Sequence, residues 1–351
     1  MELPGTVLAG ADYEPVEGRV VVEDGEIVAV EERPTESTNI VCPAFVNAHT
    51  HVGDSIAKEA GRGLSLEELV APPDGLKHRL LRGADRDDLL EGMARSLSFM
   101  EAGGTAACVE FREGGVEGVE ALLEAAEGFG VDPVVLGRET VDVLEVADGF
   151  GASGAHDDDF RRERTAAREA GKPFGIHAGE TGPHDINPAM DLDPDHLVHV
   201  VHAESMHLER VADSGTPVVV CPRSNLVTGV GLPPVEELLG RTTVALGTDN
   251  VMLNSPSMFR EMAFVAKLYD IEAPQVLRMA TAAGAEIAGL DCGVVEAGRP
   301  AALVVLDGDS DNLADARDPL RAVVRRAGVG DVERTLLPGS TRGEEEHPSP
   351  P

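Results

Sequence analysis

From residue 44 onward the chain alternates short apolar runs with amphipathic stretches of helical period, and no other feature restricts its fold as much. Eight runs read as strands: AFVNA (44–48), TAACVE (105–110), PVVLG (133–137), LEVADG (144–149), PFGIH (173–177), HLVHV (196–200), PVVVC (217–221) and TVALG (243–247). Between them RDDLLEGMARSLSFMEAG, VEGVEALLEAAEGFG and DDDFRRERTAAREAG have helical periodicity and end in glycine, as helix C-termini commonly do. Eight successive βα units predict an α/β fold, a closed (β/α)8 TIM-type barrel over residues 44–292.

The flanks read differently. Residues 1–43 include EGRVVVEDGEIVAVEE, in which a DG pair between alternating runs signals a hairpin, and residues 293–338 include AALVVLD and DVERTLL. Neither flank has enough strands to bury a face alone, so both chain ends are expected to join in one small β-sandwich beside the barrel. The tail GSTRGEEEHPSPP (339–351) lacks apolar residues and is expected to be disordered.

Charge narrows the class of partner. Acidic residues number 63 against 29 basic, a formal net charge of -34 spread along the whole chain, and only Lys58, Lys77, Lys172 and Lys267 are lysines. Such self-repulsion is screened at molar salt, where the Debye length falls to about 3 Å, so the composition suits a halophile's cytoplasmic protein. No basic stripe exists to neutralise phosphates, which argues against a nucleic-acid partner. No apolar run approaches the roughly 18 residues of a membrane span, and MELPGTVLAGADYEP lacks the order of a signal peptide. Cys42, Cys108, Cys221 and Cys292 lie far apart without a C-x-x-C pair, so neither a disulfide framework nor a cysteine metal site is indicated. The expected partner is a small-molecule substrate; homo-oligomerisation stays open.

The chemistry gathers at strand ends. In PAFVNAHTHVGDS, His49 and His51 are two residues apart, so an extended strand aims both imidazoles to one side. His177 ends the fifth strand in GIHAGET, His199 lies in the sixth in HLVHVVHAE, and Asp249 follows the eighth in VALGTDN. Barrel active sites lie at the C-terminal strand ends, so these residues are expected to converge. Imidazoles plus a carboxylate suit Zn2+ or Fe2+ with a position left for water. Glu180, three residues after His177, is placed to move a proton to a leaving group.

These motifs resemble the amidohydrolase superfamily, in particular its cytosine deaminase, S-adenosylhomocysteine deaminase and chlorohydrolase-like branch, over nearly the whole chain. PAFVNAHTH is similar to the family's first-strand metal motif, GIHAGE to its His-x-x-Glu motif, HVVH and CPRSN to its sixth- and seventh-strand segments, and LGTDN to its eighth-strand aspartate motif. The resemblance implies that His49, His51, His177 and Asp249 bind one divalent metal, Zn2+ or alternatively Fe2+. It further implies that Glu180 shuttles protons, that His199 orients or polarises water or substrate, and that Asp249 accepts the proton of the attacking water. Binuclear members use a carboxylated lysine after the fourth strand, where this chain has none, which favours a single metal. Adenosine deaminases have a second aspartate where Asn250 stands, so adenosine is doubtful as substrate, and the stretch 52–84 matches nothing assignable.

Glu110, Arg112, Arg138 and Asn225 are candidate substrate-binding residues at the mouth, with Glu139 beside them, or else members of rim ion pairs. His78, His156, His184, His196, His202 and His207 read as ordinary satisfied polar residues. The expected activity is metal-dependent hydrolysis at non-peptide C–N bonds, foremost deamination of an aminated nucleobase- or nucleoside-type heterocycle. The alternatives are hydrolysis of an imidazolone-like cyclic amide or a triazine, or a metal-binding homologue without turnover.

Overall fold

A computed structural model describes residues 1–338; the expectation of a disordered tail concerns 339–351, outside the described residues. The strands are β1 (Glu2–Ala9), β2 (Glu14–Glu23), β3 (Glu26–Glu32), β4 (Ile40–Pro43), β5 (Phe45–His51), β6 (Thr105–Arg112), β7 (Asp132–Gly137), β8 (Gly149–Gly154), β9 (Phe174–Ala178), β10 (His196–His199), β11 (Val218–Val220), β12 (Val244–Leu246), β13 (Asp249–Asn250), β14 (Leu303–Leu306) and β15 (Val332–Leu336). Nine of them form a curled sheet of TIM type in the order β12-β11-β10-β9-β8-β7-β6-β5-β13, every pairing parallel. Its two edge strands are neighbours in sequence: β12 pairs with β11 and β13 with β5, with only Gly247 and Thr248 between them. Glycine is required there, because a Cβ on residue 247 would lie 2.7 Å from His49 Cβ and 3.0 Å from Cys221 Sγ.

Seven of the eight expected strands fall where the apolar runs do. The fourth does not: LEVADG lies partly in the 3₁₀ turn Val141–Glu145, and the strand is the following GFGASG. Val143 and Leu144 are buried from the turn, which satisfies the apolar run without a strand. β8 itself carries glycine where neighbours crowd it, since a Cβ on Gly151 would sit 2.8 Å from the Phe111 ring. A strand built on small residues gives no hydrophobic signal.

Both chain ends do build one unit, but as a single sheet, β15-β14-β4-β1-β2-β3, and no two-layer sandwich is seen among the described residues. Leu3, Val7, Val20, Ile27, Val41, Leu303 and Val305 form its core. The DG hairpin lies between β2 and β3, with Asp24 at φ 48 and Gly25 at φ 82, the pair of positive φ values that a two-residue turn of this hand needs. β4 runs almost directly into β5, so the composite sheet feeds the strand that carries His49 and His51.

The expected helices form at Arg86–Ala102, Gly115–Ala126 and Arg161–Ala170, the last capped by Gly171 at φ 67. The stretch after β5 folds into a 3₁₀ turn, Val52–Ala57, and two short helices, Leu66–Val70 and Leu76–Gly83. Among the described residues no helix is long and apolar enough to cross a membrane. The four cysteines are free, and Cys42, Cys108 and Cys221 are buried.

Candidate functional site

His49 and His51 leave the end of β5 on one face, as strand alternation demands, and meet His177 from β9 and Asp249 from β13. His49 Nε2 lies 3.2 Å from His177 Nε2 and 3.4 Å from Asp249 Oδ1, and His51 Nε2 lies 3.6 Å from the same oxygen. Burial pushes the His49 imidazole down to about 3, and burial together with the facing histidines pushes His177 well down, so both rings are neutral. The tautomers of His177 and His51 follow from their outer partners. His177 Nδ1 donates to Ala152 O at 2.9 Å, and His51 Nδ1 donates to Phe111 O at 3.1 Å, which leaves both Nε2 lone pairs facing inward. Burial alone would raise the Asp249 carboxyl, but the His49 contact and the surrounding histidines hold it well below the usual range, hence ionised. Ligand atoms lie within 4.8 Å of one another in two groups that share His49, namely His49, His51 and Asp249, and His49, His177 and His199, and the first is a buried His-His-Asp set whose donors suit a divalent cation.

His199 from β10 brings Nε2 to 3.7 Å from Glu180 Oε2, and both residues line one cavity of about 560 Å³ together with His51, His177 and Asp249. Burial raises the Glu180 carboxyl, with His199 opposing, so this acid holds a proton more readily than an exposed one. His199 (φ 77) and Asp249 (φ 58) both have left-handed backbone, a strained geometry that persists only where the surroundings impose it. The helix Pro222–Thr228 supplies part of that constraint: Ser224 Oγ donates to Asp249 Oδ2 at 2.5 Å, and the Asn225 amide lies 3.1 Å from His199 Nδ1. Arg223 anchors the same helix to Glu261, a fully buried carboxylate.

The four rim candidates separate. Arg138 lines the cavity. Glu110 is fully buried and turned into the scaffold, its Oε2 accepting from Thr50 Oγ1 at 2.6 Å and Val52 N at 2.7 Å. Asn225 is likewise buried, against His199. Arg112 donates through Nε to Gly118 O at 2.9 Å and, with Glu139, borders a larger adjoining cavity of about 1080 Å³ that shares Arg138, Ser153 and Asp157 with the first. Of the histidines read as ordinary polar residues, His156 and His184 line the smaller cavity.

Further contributors escaped the sequence reading. The stretch 52–84 covers the cavity, contributing Leu66, Val70 and Lys77 to its wall. Lys77, buried, brings Nζ to 2.7 Å from Glu113 Oε1 and donates to Asn250 Oδ1 at 3.2 Å. Glu113 Oε1 in turn lies 3.2 Å from His51 Nδ1 and accepts from Arg138 at 3.0 Å, while Asn250 Nδ2 donates to Asp249 Oδ1 at 3.0 Å. One ammonium therefore reaches two groups of the cation site through one side chain each. Its rarity was the available signal, since only four lysines occur in the chain.

Residues 40–341 match the profile of the amidohydrolase family. A protein described as a putative aminohydrolase of Methanothermobacter thermautotrophicus is 34% identical, the match covering 95% of this chain and 97% of that one. A 5-methylthioadenosine/S-adenosylhomocysteine deaminase of Halobacterium salinarum is 28% identical over 97% of this chain and 91% of its own length. Among solved structures, an adenosine deaminase from Xanthomonas campestris with bound zinc superposes with a TM-score of 0.78 at 20% identity, covering 96% of this chain and 91% of that chain, a likeness of fold.

Proposed function

The chain belongs to the amidohydrolase family and is a metal-dependent hydrolase, and from that premise we propose that it deaminates an aminated heterocycle of nucleobase or nucleoside type. The observation that carries this reading is the meeting of Glu180, His199 and Asp249 within 4.8 Å of one another, two carboxyl groups driven in opposite directions. His49, His51, His177 and Asp249 would hold one divalent ion, zinc by preference for a nitrogen-rich set. Such an ion supplies Lewis acidity that makes water a nucleophile near neutral pH.

The residues divide the remaining work. Asp249, ionised, accepts the proton that water loses as it adds to the amino-bearing carbon. Glu180, whose carboxyl burial raises, donates a proton to the adjacent ring nitrogen and then serves the departing amine, so that water and amine become an oxo group and ammonia. His199, held by Asn225, orients the adding oxygen. The same reading takes 44–292 as a closed (β/α)8 barrel and 1–43 with 293–338 as the accessory unit.

Ammonia release from a panel of aminated pyrimidines, purines and their nucleosides tests this. The native protein should act on at least one, and Glu180→Gln should lose on the order of a hundredfold or more of kcat. Ring opening of cyclic amides or dechlorination of triazines without ammonia from any amine would refute deamination.

A further inference from the structure

Basic residues number 29 against 63 acidic ones, and many of them, Arg33, Arg62, Arg162 and Arg241 included, have no carboxylate partner among the described residues. Five such cations meet in one place. Lys267, in the last turn of the helix Met258–Leu268, and Arg317, Arg321, Arg325 and Arg326, on or beside the helix Pro319–Arg325, surround a surface depression of about 670 Å³. Among the described residues none of the five has an ion-pair partner, whereas Arg19, Arg86, Arg161, Arg164 and Arg210 elsewhere each do. The one acid in the lining, Asp318, accepts the backbone N–H of Arg321 at 2.9 Å as the helix N-cap.

Two of the guanidinium groups are held in place. Arg325 Nη1 donates to Ala266 O at 2.9 Å, and Arg326 Nε donates to Asn312 O at 3.2 Å. Their other N–H groups, with those of exposed Lys267, Arg317 and Arg321, are donors with no acceptor among the described residues. Like charges gathered this way repel one another, and a dense anion seated among them removes the repulsion while satisfying planar donor forks that match phosphate oxygens. The depression shares no lining residue with the cavity of Glu180 and His199.

We infer that this depression is a second binding site, for a small anion with several linked phosphoryl groups. A single phosphate would engage only part of five cations spread around such a volume. A nucleic acid would have to approach a chain whose net charge is -34.

The test is calorimetric titration of the zinc-loaded full chain with tripolyphosphate at fixed ionic strength, beside the double variant Arg317→Ser/Arg321→Ser. Zinc chelation by the probe contributes equally to both, so the difference reads the depression. Both substituted residues are exposed, and zinc content and melting temperature should match the native protein. Saturable one-to-one binding that weakens at least tenfold in the variant is the expected result. Absent saturation, or equal affinity in both proteins, overturns the inference. Sedimentation of the same samples separates the rival occupant: a native dimer that the double substitution dissociates, with no saturable tripolyphosphate binding, would assign the hollow to a second copy of this chain and overturn the proposal.

Discussion

Replacing Lys77 by methionine isolates the polar work of one buried ammonium, because methionine preserves most of the aliphatic stem's volume. The substitution removes a charge-assisted contact of 2.7 Å to Glu113 Oε1 and a hydrogen bond of 3.2 Å to Asn250 Oδ1. Leaving a buried carboxylate wholly unpaired costs about 3–5 kcal/mol. That limit is not reached, since Arg138 at 3.0 Å and His51 at 3.2 Å remain on the same Glu113 oxygen. A hydrogen bond to a charged group contributes about 1.5–3 kcal/mol, and part of the loss is offset because an ammonium no longer has to be buried, so about 2 kcal/mol is expected. Because the pair is buried, molar salt should screen little of this. Asn250 then loses the partner that fixes its amide towards Asp249, and supporting contacts of this kind change metal affinity by about 10–100-fold. Urea unfolding in molar potassium chloride gives the first quantity, and zinc competition against a chromophoric chelator gives the second. A Lys77→Met protein within 0.5 kcal/mol of native that also binds zinc equally well (threshold set by the usual ~0.5 kcal/mol scatter of neutral substitutions) would refute the reasoning.

Other expectations concern the site and its support. Elemental analysis should find about one zinc or iron per native chain and none in either His177→Ala or Asp249→Ala; metal that survives both substitutions would sink the ligand set. Ser224→Ala removes the 2.5 Å donor to Asp249 Oδ2, and kcat should fall roughly tenfold with KM little changed, consistent with about 1.5 kcal/mol of lost positioning. His196 is buried and its imidazole is pushed down to about 4, so the unfolded chain binds a proton that the folded one refuses. Stability should therefore rise with pH from about 4 to about 6.5 and level off above, with roughly 3 kcal/mol at stake from this group. Chemical denaturation at stepped pH checks it, and His196→Leu should flatten that part of the slope.

The cation site was legible because its residues sit at ends of strands that announce themselves: AFVNA before His49, PFGI before His177 and TVALG before Asp249 are apolar runs whose period and position locate the residue that follows. β8 shows where that logic stops. Its GFGASG segment packs by smallness against Phe111, and an apolar turn upstream imitates a strand. Glu110 shows a second limit, since the end of a strand tells which residues are near the mouth but not which way a carboxylate turns.

What the amino-acid order determined alone is therefore the alternation of strands and helices, the hairpin at Asp24–Gly25, and the histidine, glutamate and aspartate positions, all of which follow from local periodicity and motif spacing. Tertiary structure decided the rest. Lys77 meets Asn250 across 173 positions of sequence, Ser224 meets Asp249 across 25, and the basic hollow is assembled from Lys267 and arginines some fifty residues further on. No local pattern encodes such meetings, because they depend on where a covering loop and two surface helices come to rest once the barrel has buried its apolar faces.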